Sequence, residues 1–202
     1  IGLAVSMGNG FPIMHDEYHG NVSNIMIFRD MSIKLKEMGL NAVIIDRGMT
    51  SDENLEILLK MQFEAIAGMK KTKNFEKNFI SKIKRDEIFS LKNMVQLKKT
   101  KVYTNSFNYK KGRLIVVYNP SAEIVQKEHD FEIGVDKNKY AGYSLIYHNT
   151  KLSDKTAVEK YYEKDIVERA FKQLKGVLSL RPIRVWLKEH VQGHIKICYL
   201  SY

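Results

Sequence analysis

The sequence predicts an α/β fold, in which helices alternate with strands, and three stretches of the chain carry that prediction. Residues 41–45 form an uninterrupted apolar run, which is typical of a central strand covered on both faces. Residues 24–39 have apolar positions at helical spacing and end at a glycine, which indicates an amphipathic helix. Residues 159–178 carry the strongest helical pattern, so helices are expected to alternate with strands.

The remaining elements follow from local patterns along the chain. The predicted strands are residues 1–7 and 11–18, joined by a turn at 8–10, then 63–69, 102–109, 113–118 and 143–147. The predicted helices are residues 52–61, which begin after Ser51, part of 75–98, and a closing amphipathic helix over 184–200.

The predicted helix over 159–178 places four reactive or charged side chains on one face. Tyr161, Lys164, Glu168 and Lys175 fall within about 60° of each other when the pattern is wound as one helix. A neighbouring apolar stripe is suited to packing on a core; its members are Val158, Tyr162, Ile166, Ala170, Leu174 and Val177. The simpler interpretation is a solvated helix on which Lys164 and Glu168 form a weak surface ion pair.

A second candidate site lies where the apolar strand over 41–45 ends. Asp46 follows that strand directly, and the chain then turns outward at Arg47 and Gly48. Open α/β sheets place their active sites at the carboxyl ends of strands, so Asp46 is a candidate catalytic carboxylate. The alternative is an ordinary turn aspartate.

Composition limits the class of protein. The 202 residues are 44% hydrophobic and 28% charged, which is ordinary for one soluble globular domain. The sequence contains no apolar run long enough to span a membrane and no secretory signal pattern, so no membrane partner is expected. Its single cysteine, Cys198, cannot form an internal disulfide, which favours a cytoplasmic location and a core position for this residue.

The net charge of +10 is concentrated in one segment. Residues 70–113 contain 14 lysines or arginines and three acids, a net charge of +11, whereas the rest of the chain has a net charge of −1. Tyrosines, phenylalanines and asparagines are interleaved with the basic residues. This pattern favours contact with nucleic acid, because binding to phosphates gains free energy from released counterions. A solvated lysine-rich surface is the alternative.

The string Tyr161-x2-Lys164-x3-Glu168-x6-Lys175 resembles the Y-x2-R-x3-E-x6-K signature of insertion-sequence DDE transposases. Further segments resemble that family in the expected order: residues 1–14, 20–24, 43–55, 63–70, 178–186 and 190–200. The lysine-rich middle of the chain carries no such resemblance. Lys164 departs from the signature, where arginine is usual, and lysine lacks the planar fork that binds phosphate through two hydrogen bonds.

The resemblance implies a ribonuclease H-like catalytic domain, a mixed sheet flanked by helices, in which three acids bind two Mg²⁺ or Mn²⁺ ions. Asp46 matches the second acid and Glu168 the third. The first acid is unmatched, because Asp16 and Asp30 lie on the wrong predicted elements. By the family's order it would precede residue 1, so we expect an N-terminally incomplete copy that is inactive alone. Tyr161 and Lys175 would contact the DNA end.

The same resemblance implies a division into three segments and a function. Residues 1–70 and 141–202 would form the catalytic core, and residues 71–140 a basic, β-rich insertion that holds transposon DNA. Within that insertion we assign DNA contacts to four lysines, Lys98, Lys99, Lys110 and Lys111.

The expected activity is metal-dependent cleavage and transfer of DNA strands at insertion-sequence ends. The alternatives are an inert DNA-binding remnant and a metal-dependent nuclease of the same fold. The partners would be double-stranded DNA, as transposon ends and target, and a homodimer on DNA is compatible with the resemblance.

Overall fold

A computed structural model describes residues 1–134, 139–176 and 187–201 of the chain. The chain divides into two compact units. The first unit combines Ile1–Leu40 with Glu163–Tyr202, and the second is Asn41–Tyr162. No helix within the described ranges is long and apolar enough to cross a membrane.

Strands and helices alternate along much of the chain, as predicted. The strands are β1 (Gly2–Val5), β2 (Pro12–Asp16), β3 (Ala42–Ile45), β4 (Glu64–Met69), β5 (Met94–Gln96), β6 (Lys101–Tyr109), β7 (Gly112–Tyr118) and β8 (Tyr143–His148). The helices are α1 (Asn24–Glu37), α2 (Asp52–Lys60), α3 (Lys73–Asn78), α4 (Arg85–Ile88), α5 (Pro120–Glu132), α6 (Asp154–Tyr162), α7 (Asp165–Lys175) and α8 (Lys188–Leu200). Short 3₁₀ helices occupy Arg47–Met49, Ile80–Lys82 and Leu91–Asn93.

The first unit contains the predicted hairpin and the predicted helix α1. Strands β1 and β2 pair in antiparallel orientation, and Gly10 in their turn has φ of 74°, a conformation that glycine adopts without strain. The side chain of Ser23 caps α1 by accepting a hydrogen bond from the Met26 amide. Gly39, with φ of 81°, ends the helix as predicted.

The closing helix α8 packs within the first unit. Ile195 and Cys198 on α8 form a buried cluster with Leu174 on α7, and Ile1 and Leu3 pack against this cluster. The prediction of a core cysteine is therefore confirmed. The predicted helix began at residue 184, but residues 177–186 lie outside the described part of the chain. The whole segment 178–186, which resembles the transposase family, lies outside it too.

The second unit is built on a mixed sheet, and this confirms the predicted α/β class. Within the described residues six strands lie in the order β3-β4-β8-β7-β6-β5. Strands β3 and β4 are parallel, and every other neighbouring pair is antiparallel. A mixed sheet flanked by helices is consistent with a ribonuclease H-like fold. The prediction that β3 is central and covered on both faces was wrong, because β3 pairs only with β4 in this sheet and is partly exposed.

Helices cover the two faces of this sheet. On one face, α6 contributes Ala157 and Val158 to a buried cluster with Ile66, Ile115 and Ile146 from three strands. Aromatic side chains contact one another on the other face, where Phe75 of α3 and Phe79 lie beside Phe107 and Tyr109 of β6; α2 packs on β4. Residues that alternate along each strand thus serve two separate layers.

The lysine-rich segment provides three strands of the same sheet. Strands β6 and β7 are the predicted ones, and β7 pairs with β8 from Arg113 to Tyr118. Helix α5 was missed, although Asn119 caps it through the Ala122 amide and Pro120 occupies its first turn. These two residues both end β7 and begin the helix. The boundaries of an insertion at 71 and 140 stay a prediction.

The prediction of one helix over 159–178 was wrong. Helix α6 ends at Tyr162 and α7 begins at Asp165. Between them the amides of Ile166 and Val167 donate to carbonyls only three residues back, at 3.2 and 2.9 Å. The apolar stripe is divided, since Val158 is buried in the core of the second unit and Leu174 in that of the first. The four signature residues therefore do not share one helical face.

Candidate functional site

Asp46 lies where the sequence placed it, directly after β3. Its backbone carbonyl accepts hydrogen bonds from the Met49 amide at 3.0 Å and from the Thr50 hydroxyl at 3.1 Å. Thr50 is buried, so the hydrogen bond from its hydroxyl holds the turn against the protein interior. The preceding residue, Ile45, is also buried, whereas Asp46 is exposed. The end of the strand therefore presents a carboxylate on a hydrogen-bonded turn.

The structure brings Tyr161 to Asp46. The Tyr161 hydroxyl lies 3.3 Å from Oδ1 of Asp46, at the limit of hydrogen-bond length, and donates to it. The aromatic ring packs against the hydrophobic cluster beneath α6, and the ring of Tyr162 meets it edge-on at 5.8 Å. Two of the residues that the sequence singled out are therefore in direct contact, although they are far apart in the chain.

Gly68 on β4 contributes to this arrangement, and the sequence patterns did not single it out. A β-carbon at position 68 would overlap the Tyr161 hydroxyl and would lie 2.8 Å from Cζ of the same ring. It would also approach the Arg47 amide nitrogen at 3.1 Å. An isolated glycine inside an apolar strand often marks a close approach of another group, and this signal could have identified the residue.

A polar network that includes the buried His148 holds the beginning of α6. Arg113 donates to both carboxylate oxygens of Asp154, at 2.8 and 2.9 Å, and Ser106 donates to one of them at 2.5 Å. Nε2 of His148, whose side chain is only 2% exposed, lies 2.9 Å from Oδ1. Thr150 lies 3.1 Å from the other ring nitrogen. These partners join strands β6, β7 and β8 to the first residue of the helix.

The environment of Asp154 favours its ionised form. Burial alone would raise the pKa of Asp154, but hydrogen bonds from Arg113, Ser106 and His148 outweigh burial and hold the pKa below its ordinary value. The network was missed at the sequence level because it depends on the register of three strands. Its consequence is that the helix carrying Tyr161 starts at a fixed point on the sheet.

The other signature residues belong to the first unit. Glu168 is exposed and lies in the first turn of α7, where a negative charge interacts favourably with the helix dipole. Lys164 is the residue preceding that helix, and Lys175 is its last residue. Asp46 and Tyr161 belong to the second unit. The convergence of Asp46 with Glu168 stays a prediction.

Asp16 and Asp30, the acids that were not assigned as the first catalytic residue, have structural partners. Lys34 forms ion pairs with both, and the Tyr18 hydroxyl lies 2.7 Å from Asp30 and 3.2 Å from Asp16. Burial would raise the pKa of Asp16, but the bonds from Lys34, Glu17 and Tyr18 lower it. Bonds from Tyr18 and Lys34 likewise lower the pKa of Asp30. These contacts tie β2 to α1.

The four lysines assigned to DNA contact fall into two groups. Lys98 and Lys99 are exposed in the bend between β5 and β6, and Lys111 is exposed in the turn between β6 and β7. The side chain of Lys110 is 22% exposed and lies 3.1 Å from Asp52 and 3.8 Å from Glu56. Its charge is therefore already compensated by two acids of α2.

The residues proposed for metal binding are suitable donors. Asp46 and Glu168 provide exposed carboxylate oxygens, which are the ligands that Mg²⁺ and Mn²⁺ prefer. Within the described ranges no group of three or more histidines, cysteines or acids is arranged to hold a metal ion. The carboxylate oxygens of Asp46 and Glu168 therefore suit a divalent ion, and these are the two residues proposed to bind one.

Comparison with known proteins identifies the family. No curated protein matches this sequence. A family model described as the transposase DDE domain matches residues 1–202. Transposases act on DNA, and members of this family generally use divalent metal ions. Because the match extends over the whole sequence, the chain belongs to the transposase DDE domain family.

Proposed function

We propose that this chain is the catalytic domain of an insertion-sequence transposase, which cleaves DNA strands at the ends of the element and transfers them to target DNA. Family membership supports the transposase function. The observation that carries the finer proposal is the exposed carboxylate of Asp46 at the end of β3, in contact with the signature residue Tyr161. This placement agrees with the way α/β enzymes position catalytic side chains.

In this proposal Asp46 and Glu168 hold Mg²⁺ or Mn²⁺, with two ions in the assembled site. Held by these two residues, the ions would supply activation of the attacking oxygen and charge stabilisation of the leaving oxygen of the phosphodiester. The chain's own contribution is to present the two carboxylates from a strand end and a helix. Each Mg²⁺ ion takes only one or two protein carboxylates and otherwise keeps its waters, so acids from separate elements suit this chemistry.

The basic residues bind double-stranded DNA in this proposal. Lys164 and Lys175 contact phosphates near the cleaved end. Lys98, Lys99 and Lys111 contact the DNA backbone further away, and Lys110 contributes less because Asp52 and Glu56 compensate its charge. We also propose that two copies of the chain act together on DNA. Light scattering from the protein–DNA complex measures that stoichiometry.

Two other functions remain to be distinguished by experiment. A DNA-binding remnant without activity is favoured by the unmatched first acid, since only Asp46 and Glu168 correspond to the family's three. A metal-dependent nuclease of the same fold would use the same two carboxylates. Binding without cleavage identifies the remnant, and cleavage without strand joining identifies the nuclease.

The deciding experiment uses the full-length gene product, labelled DNA carrying the terminal sequences of the element, and Mg²⁺ or Mn²⁺. We expect cleavage and joining by the unaltered protein, and loss of both with Asp46→Asn or Glu168→Gln. Two nearby acids provide matched controls, Asp52→Asn on α2 and Asp165→Asn on α7. Retained activity in Asp46→Asn and Glu168→Gln, or equal loss in the controls, would contradict the assignment.

A further inference from the structure

We propose that Gly68 and Tyr161 position the carboxylate of Asp46. Gly68 leaves a slot on the surface of β4, Tyr161 crosses that slot, and its hydroxyl holds Oδ1 of Asp46. In this role Tyr161 binds Asp46 within the protein, in addition to the DNA end that the family resemblance leads us to expect. The relevance of this positioning to metal binding rests on the proposed function.

The register of the sheet explains why the slot must be at position 68. Strands β3 and β4 are parallel, and Ile45 pairs with Ala67, so Asp46 and Gly68 follow side by side. Residues two apart in a strand face the same side. Ile66 belongs to the cluster beneath α6, so a side chain at position 68 would point toward the same helix. The residue it would meet there is Tyr161.

Neither neighbour can give way easily. Gly68 is buried within β4 and pairs with Ile146 of β8, so its backbone is held on the sheet. Helix α6 is fixed at its first residue by the bonds of Asp154 to Arg113 and Ser106. A methyl group at position 68 would therefore displace the Tyr161 ring and break its hydrogen bond with Asp46.

A hydrogen bond to one oxygen of a carboxylate restricts the directions in which the whole group can point. An exposed aspartate otherwise rotates about its side-chain bonds, and ordering it on metal binding costs conformational entropy. Groups that hydrogen-bond to metal ligands typically change metal affinity by about 10- to 100-fold when they are removed. Tyr161 is such a group for Asp46 if Asp46 binds a metal ion.

The slot is tested by a double-mutant cycle in thermal stability without metal. We expect Gly68→Ala to lower the melting temperature in the unaltered protein and to lower it much less in a Tyr161→Ala background. Gly20→Ala, where no atom lies within 4 Å of the added β-carbon, is the control. If Gly68→Ala alone does not fold, recovery of folding by Tyr161→Ala supports the slot. An equal effect of Gly68→Ala in both backgrounds would overturn it.

The hydrogen bond to Asp46 is tested by Tyr161→Phe, which keeps the ring and removes the hydroxyl. At constant pH and without metal, the ¹³C chemical shift of the Asp46 carboxyl should change in Tyr161→Phe and in Gly68→Ala. It should stay the same in Tyr162→Phe, the matched control on the next residue. An unchanged shift in Tyr161→Phe would overturn the positioning role. It would mean that the Asp46 carboxyl does not sense the loss of the Tyr161 hydroxyl, and that the ring only packs against the core.

A third measurement separates this inference from the proposed function. Calorimetric titration with Mn²⁺ should show about tenfold weaker binding to Tyr161→Phe than to the unaltered protein. Equal or tighter binding would mean that the hydroxyl does not help to present the carboxylate, and would overturn the inference. If the unaltered protein binds no Mn²⁺ while the first two tests succeed, the metal-dependent function fails and the positioning of Asp46 stands.

Discussion

The hydroxyl of Tyr161 lies 3.3 Å from Oδ1 of Asp46 and joins the end of α6 to the end of β3. The two residues are far apart in the sequence, and the fold brings them together because the Tyr161 side chain passes over β4 at Gly68. Tyr161, which belongs to the string that resembles the transposase signature, is therefore in contact with a proposed metal ligand in the same unit. Mutations at either residue are expected to be coupled.

A first prediction concerns the geometry of the proposed metal site. In crystals of the full-length gene product grown with Mn²⁺, anomalous scattering should place two ions roughly 3.5 to 4 Å apart, with Asp46 and Glu168 as ligands. The physical reason is that ions bridging one phosphodiester must be close together. Separate manganese positions at the two carboxylates, too far apart to share a phosphate, would contradict the two-ion assignment.

A second prediction concerns the salt dependence of DNA binding. Replacing Lys98, Lys99 and Lys111 by Gln should make the plot of log affinity against log salt shallower, by about 0.9 for each phosphate that is no longer neutralised. Lys110→Gln should change the slope less, because Lys110 is paired with Asp52 and Glu56. Fluorescence anisotropy at several salt concentrations measures these slopes.

The control for this experiment removes the same charge elsewhere. Lys60, Lys151 and Lys155 are exposed and lie outside residues 71–140, and their replacement by Gln lowers the net charge equally. Glu168→Gln should leave the slope nearly unchanged. If the triple variants have equal slopes, the basic segment is a solvated surface and the DNA contacts assigned to it are wrong.

Local signals in the sequence predicted much of the fold, and long-range contacts explain what they missed. Helix α1 was predicted with its glycine end, because Gly39 and its hydrogen bonds depend on neighbouring residues. The break at residues 163 and 164 was missed, because the helical spacing of apolar residues continues through it. The structure buries Val158 in one core and Leu174 in another, which the spacing alone does not reveal. Gly68 and the partners of Asp154 depend on strand register, which one sequence does not reveal.

A third prediction concerns acid stability. The ionised carboxylate of Asp154 is stabilised in the folded protein, so its pKa lies below the ordinary value of 3.8. This stabilisation is complete above that ordinary value and is lost as the pH falls through the lower folded-state pKa. The free energy of unfolding should therefore decrease below about pH 4. Urea denaturation at a series of pH values measures this decrease, to which Asp16, Asp30 and Glu123 contribute in the same direction.

The matched variant for acid stability is Asp154→Asn. It should be less stable at neutral pH by about 1 to 3 kcal/mol, because Arg113 and His148 lose a charged partner. Its decrease in stability in acid should also be smaller than that of the unaltered protein, since one of the titrating carboxylates is gone. An identical pH profile with only a vertical offset would show that Asp154 contributes no pH dependence.

A fourth prediction concerns the end of α2. The Gln62 amide donates to the Leu59 carbonyl at 3.2 Å and the Phe63 amide to the Leu58 carbonyl at 2.9 Å, which is a Schellman motif. Gln62 has φ of 55°, in the left-handed region where glycine is preferred. Gln62→Gly should raise stability by about 1 kcal/mol in thermal unfolding.

Gln62→Ala should give no gain, and Gly39→Ala, at the same position after α1, should destabilise. A loss of stability in Gln62→Gly would contradict this account.

The last prediction is that the polypeptide of residues 1–202 does not cleave DNA by itself. Asp46 and Glu168 match two of the family's three acids, and two carboxylates hold ions less firmly than three. Imperfect placement of the catalytic ions costs several kcal/mol of transition-state stabilisation, and each 1.4 kcal/mol lowers the rate about tenfold.

Asp16 and Asp30 are poor substitutes for the third acid, since both already form ion pairs with Lys34 between β2 and α1. We therefore expect DNA binding without strand cleavage when purified residues 1–202 are incubated with labelled element ends and Mg²⁺. Asp16→Asn and Asp30→Asn should leave that binding unchanged. Robust cleavage that disappears in Asp16→Asn but persists in Asp30→Asn would show that Asp16 is the missing acid. It would also mean that the ion pair with Lys34 opens when metal and DNA are bound.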